Sequence, residues 1–130
     1  MILSDEKLKQ VEPADDRAGQ LQQRLRRILI EQAQSQTLVT YKELAERLGI
    51  QPPHSIHQLT ILLEQLMAQD TQKGAPLLAA LCVGRLRHKL PAPGFFITAN
   101  QLGLFTGDPE GEEARKFHER ELARVLAAYC

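Results

Sequence analysis

The chain has 130 residues, sixteen basic and sixteen acidic side chains, 43% hydrophobic and 25% charged residues. One domain of this length buries a core without metal or disulfide, and no apolar run approaches the roughly 20 residues of a membrane span. A net charge of zero excludes the broad basic excess with which an independent nucleic-acid module neutralises phosphates, so any nucleic-acid contact has to come from local patches.

The opening Met1-Ile-Leu-Ser-Asp-Glu-Lys7 is acidic where a secretory leader would be basic, and a cytoplasmic protein is expected. Residues 1 to 13 mix charges with Pro13 and lack a sustained apolar period, which reads as a flexible arm before a single domain over 14–130. From Asp15 or Asp16 a helix follows, with Ala18, Leu21, Leu25, Ile28 and Leu29 at three- and four-residue spacing. Its outer side carries Arg17, Arg24, Arg26 and Arg27, a solvated basic face on this reading.

The most completely specified stretch is Leu38-Val-Thr-Tyr-Lys-Glu-Leu-Ala-Glu-Arg-Leu-Gly-Ile50. Thr40 and Glu43 have the spacing of a capping box. Leu44, Ala45 and Leu48 share a face, and Gly49 supplies the left-handed residue that ends the helix, with Ile50 packing behind it. After Pro52-Pro53, Ser55 with Gln58 repeats the capping-box spacing and starts a third helix over 55–68. Its apolar face is Ile56, Leu59, Leu63, Leu66 and Met67, closed by Gly74.

Leu77–Val83 is a short continuous apolar run that reads as a buried strand. The basic Gly84-Arg-Leu-Arg-His-Lys-Leu90 after it suits a hairpin loop or wing leading to a second short strand. Phe95, Phe96, Ala99 and Leu102 are spaced for a helix over 94–103 ended by Gly103. Asp108-Pro109 reads as an N-cap with proline in the first position of a last helix over 109–129.

Helix, short capped helix, helix, strand and basic turn follow the winged-helix plan. The fold class expected is therefore α+β: mainly helical, with a winged-helix-like core over about 20–92, a short strand or hairpin, and added C-terminal helices. At Val39-Thr-Tyr-Lys-Glu-Leu-Ala-Glu-Arg-Leu-Gly49 the chain resembles the DNA-binding domain of the alkylguanine-DNA alkyltransferases and alkyltransferase-like proteins, in which a Thr-Tyr-Gly-Glu-Leu-Ala segment opens the same small helix. The resemblance covers residues of about 20 to 83 and implies the fold and a DNA-facing third helix. The family's Pro-Cys-His-Arg-Val segment falls where this chain reads Pro76-Leu-Leu-Ala-Ala-Leu-Cys-Val83, with no His or Arg beside Cys82 to lower its thiol pKa, and residues 55–69 hold no arginine to enter the base stack. Alkyl transfer is not expected. Cys82 and Cys130 read as reduced thiols, and Cys82, inside an aliphatic run, as an inert one.

The function expected is non-enzymatic DNA binding through the helix of residues 55–68 and the turn of residues 85–89. Candidate contacts are Tyr41, Lys42, Ser55, His57, Thr60, Arg85, Arg87, His88 and Lys89. The alternative is a protein-interaction module, or a homodimer, using the uncharged face of the third helix or the last helix. Arg24, Arg26 or Arg27 on one face with the third helix and the turn would favour DNA, and opposite faces would favour a protein partner. His54 and His57, three apart without a third ligand, read as surface or capping residues rather than zinc ligands, and no cofactor or membrane partner is expected.

Overall fold

The computed structural model describes residues 2–129, with side chains from Arg17 to Tyr129. Five helices, α1 (Ile2–Gln34), α2 (Tyr41–Leu48), α3 (Ser55–Gln72), α4 (Pro93–Gln101) and α5 (Glu112–Tyr129), surround the segment from Leu77 to Val83. A small parallel sheet pairs β1 (Val39–Thr40) with β2 (Cys82–Val83), Val39 opposite Cys82 and Thr40 opposite Val83. No helix among the described residues is long and apolar enough to cross a membrane.

Helix α2 forms as its local signals dictate. The Thr40 hydroxyl accepts from the Glu43 amide, the Glu43 carboxylate accepts from the Thr40 amide, and Gly49 ends the helix at φ 75°. Leu44, Ala45 and Leu48 are buried against Leu25, Leu29 and Ala33 of α1 and Leu59, Leu63, Leu66 and Met67 of α3. Helix α3 has no second capping box: its N-cap is His54 in the left-handed conformation at φ 67°, with no side-chain cap, and Ser55 is the first helical residue. It runs on to Gln72, and Gly74 at φ 67° ends the chain's turn with the Ala75 amide donating to the Asp70 carbonyl.

Three further boundaries differ from expectation. Helix α1 begins at Ile2, so the backbone of residues 2–13, taken as an arm, is helical; their side chains lie outside the described ones. Helix α5 begins at Glu112 rather than Pro109, because the Asp108 carboxylate accepts from the Glu110 amide and its carbonyl from Gly111, making a separate turn.

The third correction concerns Leu77–Val83. Leu78–Leu81 is a single 3₁₀ turn and only Cys82–Val83 is strand. Three polar ties to α3 and α5 account for this. The Leu77 amide donates to Glu121 Oε2 of α5 at 3.0 Å, the Leu78 amide donates to Asp70 Oδ2 of α3 at 3.2 Å, and His118 Nε2 lies 2.8 Å from the Ala80 carbonyl oxygen. With its amides taken by carboxylates, the segment has no ladder to join beyond the two-residue β1. No second strand follows the basic turn, which the Gly84 amide closes onto the Leu90 carbonyl.

Burial pushes the His118 imidazole below its ordinary value of 6.5, offset in part by its bond to the Ala80 carbonyl. The unfolded ring therefore takes a proton more readily than the folded one. Its contribution to stability is complete above about pH 6.5 and is lost as the pH falls from there towards the depressed folded value. Urea midpoints should decline over this window, and His118→Gln, which keeps a donor for Ala80, should flatten that decline. A decline unchanged in His118→Gln would assign the proton to another group.

A candidate nucleic-acid groove

Helix α2 points its N-terminus, and α3 its first two turns, towards the same strip of surface, and the turn after β2 closes the third side. The result is an open groove of about 550 Å³ whose walls include Lys42 and Glu43 of α2, Ile56 and Thr60 of α3, Arg85 of the turn, and Ala92. Tyr41 forms part of the floor. Its hydroxyl accepts from the Ala92 amide at 2.9 Å, which ties the return of the turn to the start of α2. Burial, with the nearby Cys82 thiol second, holds the Tyr41 phenol above its ordinary pKa, so the hydroxyl stays neutral.

Of the residues singled out from sequence, Tyr41, Lys42, Thr60 and Arg85 converge here. Lys42 and Arg85 have no carboxylate partner among the described residues, and Lys89, exposed on the same turn as Arg85, is likewise unpaired. The groove's one carboxylate, Glu43, is turned to the Thr40 hydroxyl and amide, which hold it below the ordinary carboxylate range. The Thr60 hydroxyl donates to its own helix at the Ile56 carbonyl, 2.9 Å away. Ser55, His57 and His88 are not part of the groove wall. Arg87 is committed elsewhere: its Nε donates to the Pro91 carbonyl at 3.3 Å and its guanidinium pairs with Glu110 at 3.0 Å.

Ile56 is a correction to the expected core face. It is 44% exposed and lines the groove, while Leu62, one turn and a half further on, is buried in its stead. Ile56 keeps the helical phase of Leu59 and Leu63 but stands on the first turn of α3, where it meets the groove instead of the core. Neither Ala92 nor Glu43 carried any sequence signal for this site.

The basic face of α1 is solvated only in part: Arg17 and Arg27 are exposed, whereas Arg24 and Arg26 bond to the neighbouring helices. Arg24 donates to the carbonyls of Arg47 and Leu48 at the C-terminal end of α2. Arg26 pairs with the fully buried Asp70 at 2.8 Å and donates to Gln69 at the far end of α3. Arg27 lies with Arg24, Glu31 and Arg47 beside a separate depression. None joins the groove.

Cys82 is fully buried and burial raises its thiol pKa, so the thiolate needed for nucleophilic chemistry is disfavoured. Cys130 lies outside the described residues. Among the described residues no group of three or more His, Cys, Asp or Glu side chains is placed to hold a metal ion. Comparison with family models, curated proteins and solved structures gives no match for this chain.

Proposed function

We propose that the chain is a non-enzymatic DNA-binding protein of winged-helix type, in which the N-terminal half of α3 meets duplex bases and the turn of residues 85–89 meets the backbone beside it. One observation carries this reading: α2's N-terminus, the first turns of α3 and the basic turn share a single open groove whose cations, Lys42 and Arg85, are unpaired. In helix-turn-helix proteins it is the N-terminal residues of the second helix that reach base edges, and a flanking basic loop reaches phosphate. The buried, neutral Cys82 supports the non-enzymatic part of the reading.

The internal use of Arg24 and Arg26 limits the electrostatic footprint. They form neither an extension of the groove nor a competing basic face, so Lys42, Arg85 and Lys89 are left to neutralise phosphate. Binding to a labelled duplex should therefore weaken with salt at a slope near −3 in log–log terms, about −0.9 for each of three phosphate contacts. The combined Lys42→Gln, Arg85→Gln and Lys89→Gln variant should bring that slope close to zero, whereas Arg27→Gln should leave it alone. Anisotropy titration with the full chain checks this. Absence of binding at low salt, or equal binding by the triple variant, would remove the proposal.

A second reading, a protein-interaction module, draws on the same shortage of cations. The groove wall is largely aliphatic at Ile56 and Ala92, and Ile61 on the next turn of α3 is 43% exposed. Such a surface suits a partner with apolar anchors.

A further inference from the structure

Leu86 is the most exposed large hydrophobic residue described: 90% exposed, where the others, Ile56, Ile61, Ile97 and Leu104, lie between 41% and 48%. Single exposed aliphatics are common on protein surfaces; this one is set apart by its exposure and by a loop whose backbone is closed by hydrogen bonds on both sides of it. The Gly84 amide donates to the Leu90 carbonyl at 2.8 Å, the Arg87 amide to the Gly84 carbonyl at 3.2 Å, and the Leu90 amide to the Arg87 carbonyl at 3.0 Å. His88 and Lys89 hold left-handed conformations at φ 52° and 65°. The Arg87 side chain folds back across Gly84, where any Cβ would meet Arg87 Cγ at 2.4 Å, and is anchored on Pro91 and Glu110. The loop thus turns its middle arginine inward and presents the leucine outward.

What flanks Leu86 selects its partner. Arg85 on one side lines the groove beside Ile56 and Thr60, and Lys89 follows on the other; both are unpaired. An aliphatic tip between cations matches a polyanion that has an apolar interior within reach, and a base step of duplex DNA offers both. We propose that Leu86 is an apolar wedge that enters a base step from the minor groove when the turn lies against duplex DNA. Proteins of several architectures insert Leu, Ile, Phe or Met in this way, unstacking the step and kinking the duplex. The rigid loop prepays the ordering that a flexible tip would lose on binding, and pyrimidine–purine steps, the easiest to unstack, are the preferred sites.

This inference rests on the DNA-binding reading, and one experiment separates the two. The full chain is titrated at low salt into a short duplex carrying 2-aminopurine at a central TA step, with anisotropy reporting binding and 2-aminopurine fluorescence reporting unstacking. The wild type should bind and raise the fluorescence. Leu86→Ala, which touches nothing in the core and should keep the same urea midpoint, should bind about tenfold more weakly, the scale of burying one aliphatic side chain, and give no rise. Leu86→Phe should restore both signals. Wild-type binding without a fluorescence rise, or an equal rise with Leu86→Ala, overturns the wedge and leaves DNA binding standing. No wild-type binding to the duplex overturns both, and binding to anionic vesicles alone would place Leu86 in a lipid interface and overturn the wedge too.

Discussion

Replacing Asp70 with alanine is expected to destabilise the fold by about 3–5 kcal/mol, the range for removing one partner of a buried ion pair. Asp70 is fully buried in the last turns of α3 and serves two elements at once. Oδ1 holds the Arg26 guanidinium of α1 at 2.8 Å, and Oδ2 accepts the Leu78 amide of the central segment at 3.2 Å. Truncation leaves a guanidinium only 24% exposed without its counter-charge and a buried amide without an acceptor. Each omission carries its own desolvation cost. Against a total stability of about 5–15 kcal/mol, the melting temperature should fall by about 10 °C or more. Two companions make the test specific. Asp70→Asn keeps an acceptor for Leu78 and should lose less, and the double change Asp70→Leu with Arg26→Met should recover much of the loss, because an apolar pair of similar volume has no charge to desolvate. A double variant as unstable as Asp70→Ala would show that the Leu78 amide, rather than the ion pair, is what Asp70 sustains.

The same carboxylate shows where sequence reading stops. Helix α2 was legible to its last residue because Thr40, Glu43 and Gly49 act within ten positions of one another and need no other part of the chain. Leu77–Val83 was not. An apolar run of that length is compatible with a strand or a helical turn, and the choice falls to Asp70, eight residues before Leu78, and to Glu121, forty-four residues after Leu77. The arginines of α1 failed for a related reason. Periodicity gives Arg24 and Arg26 a face, but whether that face meets water or the carbonyl ends of α2 and the end of α3 depends on how the helices dock. At the groove, Tyr41, Lys42, Thr60 and Arg85 could be named from residue type and motif. Ile56 could not, because it shares the helical phase of Leu59 and Leu63, and periodicity does not show that the first turn of α3 meets the groove instead of the core.

Phe96→Ala should cost about 3–5 kcal/mol as well, and its effect should reach the groove. Phe96 has no exposed surface and stands edge-on to Phe95 at 5.1 Å between ring centres, with Phe105 at 5.7 Å and Phe117 of α5 at 6.5 Å. Such ring pairs add about 0.5–1.5 kcal/mol each beyond the area they bury, and a phenyl-sized void among rings fixed on two helices and a loop cannot close cheaply. Helix α4 begins at Pro93, directly after Ala92, whose amide donates to the Tyr41 hydroxyl. If the ring cluster is what fixes α4, loosening it releases the return limb of the basic turn before it disturbs α2, which keeps its own caps. Hydrogen exchange under native conditions separates these two: in Phe96→Ala the Ala92 amide should lose protection by a larger factor than the Leu44 amide. Equal losses at both would mean that the molecule opens only as a whole, and the turn would then owe its position to Tyr41 and the Arg87–Glu110 pair rather than to the aromatic cluster behind it.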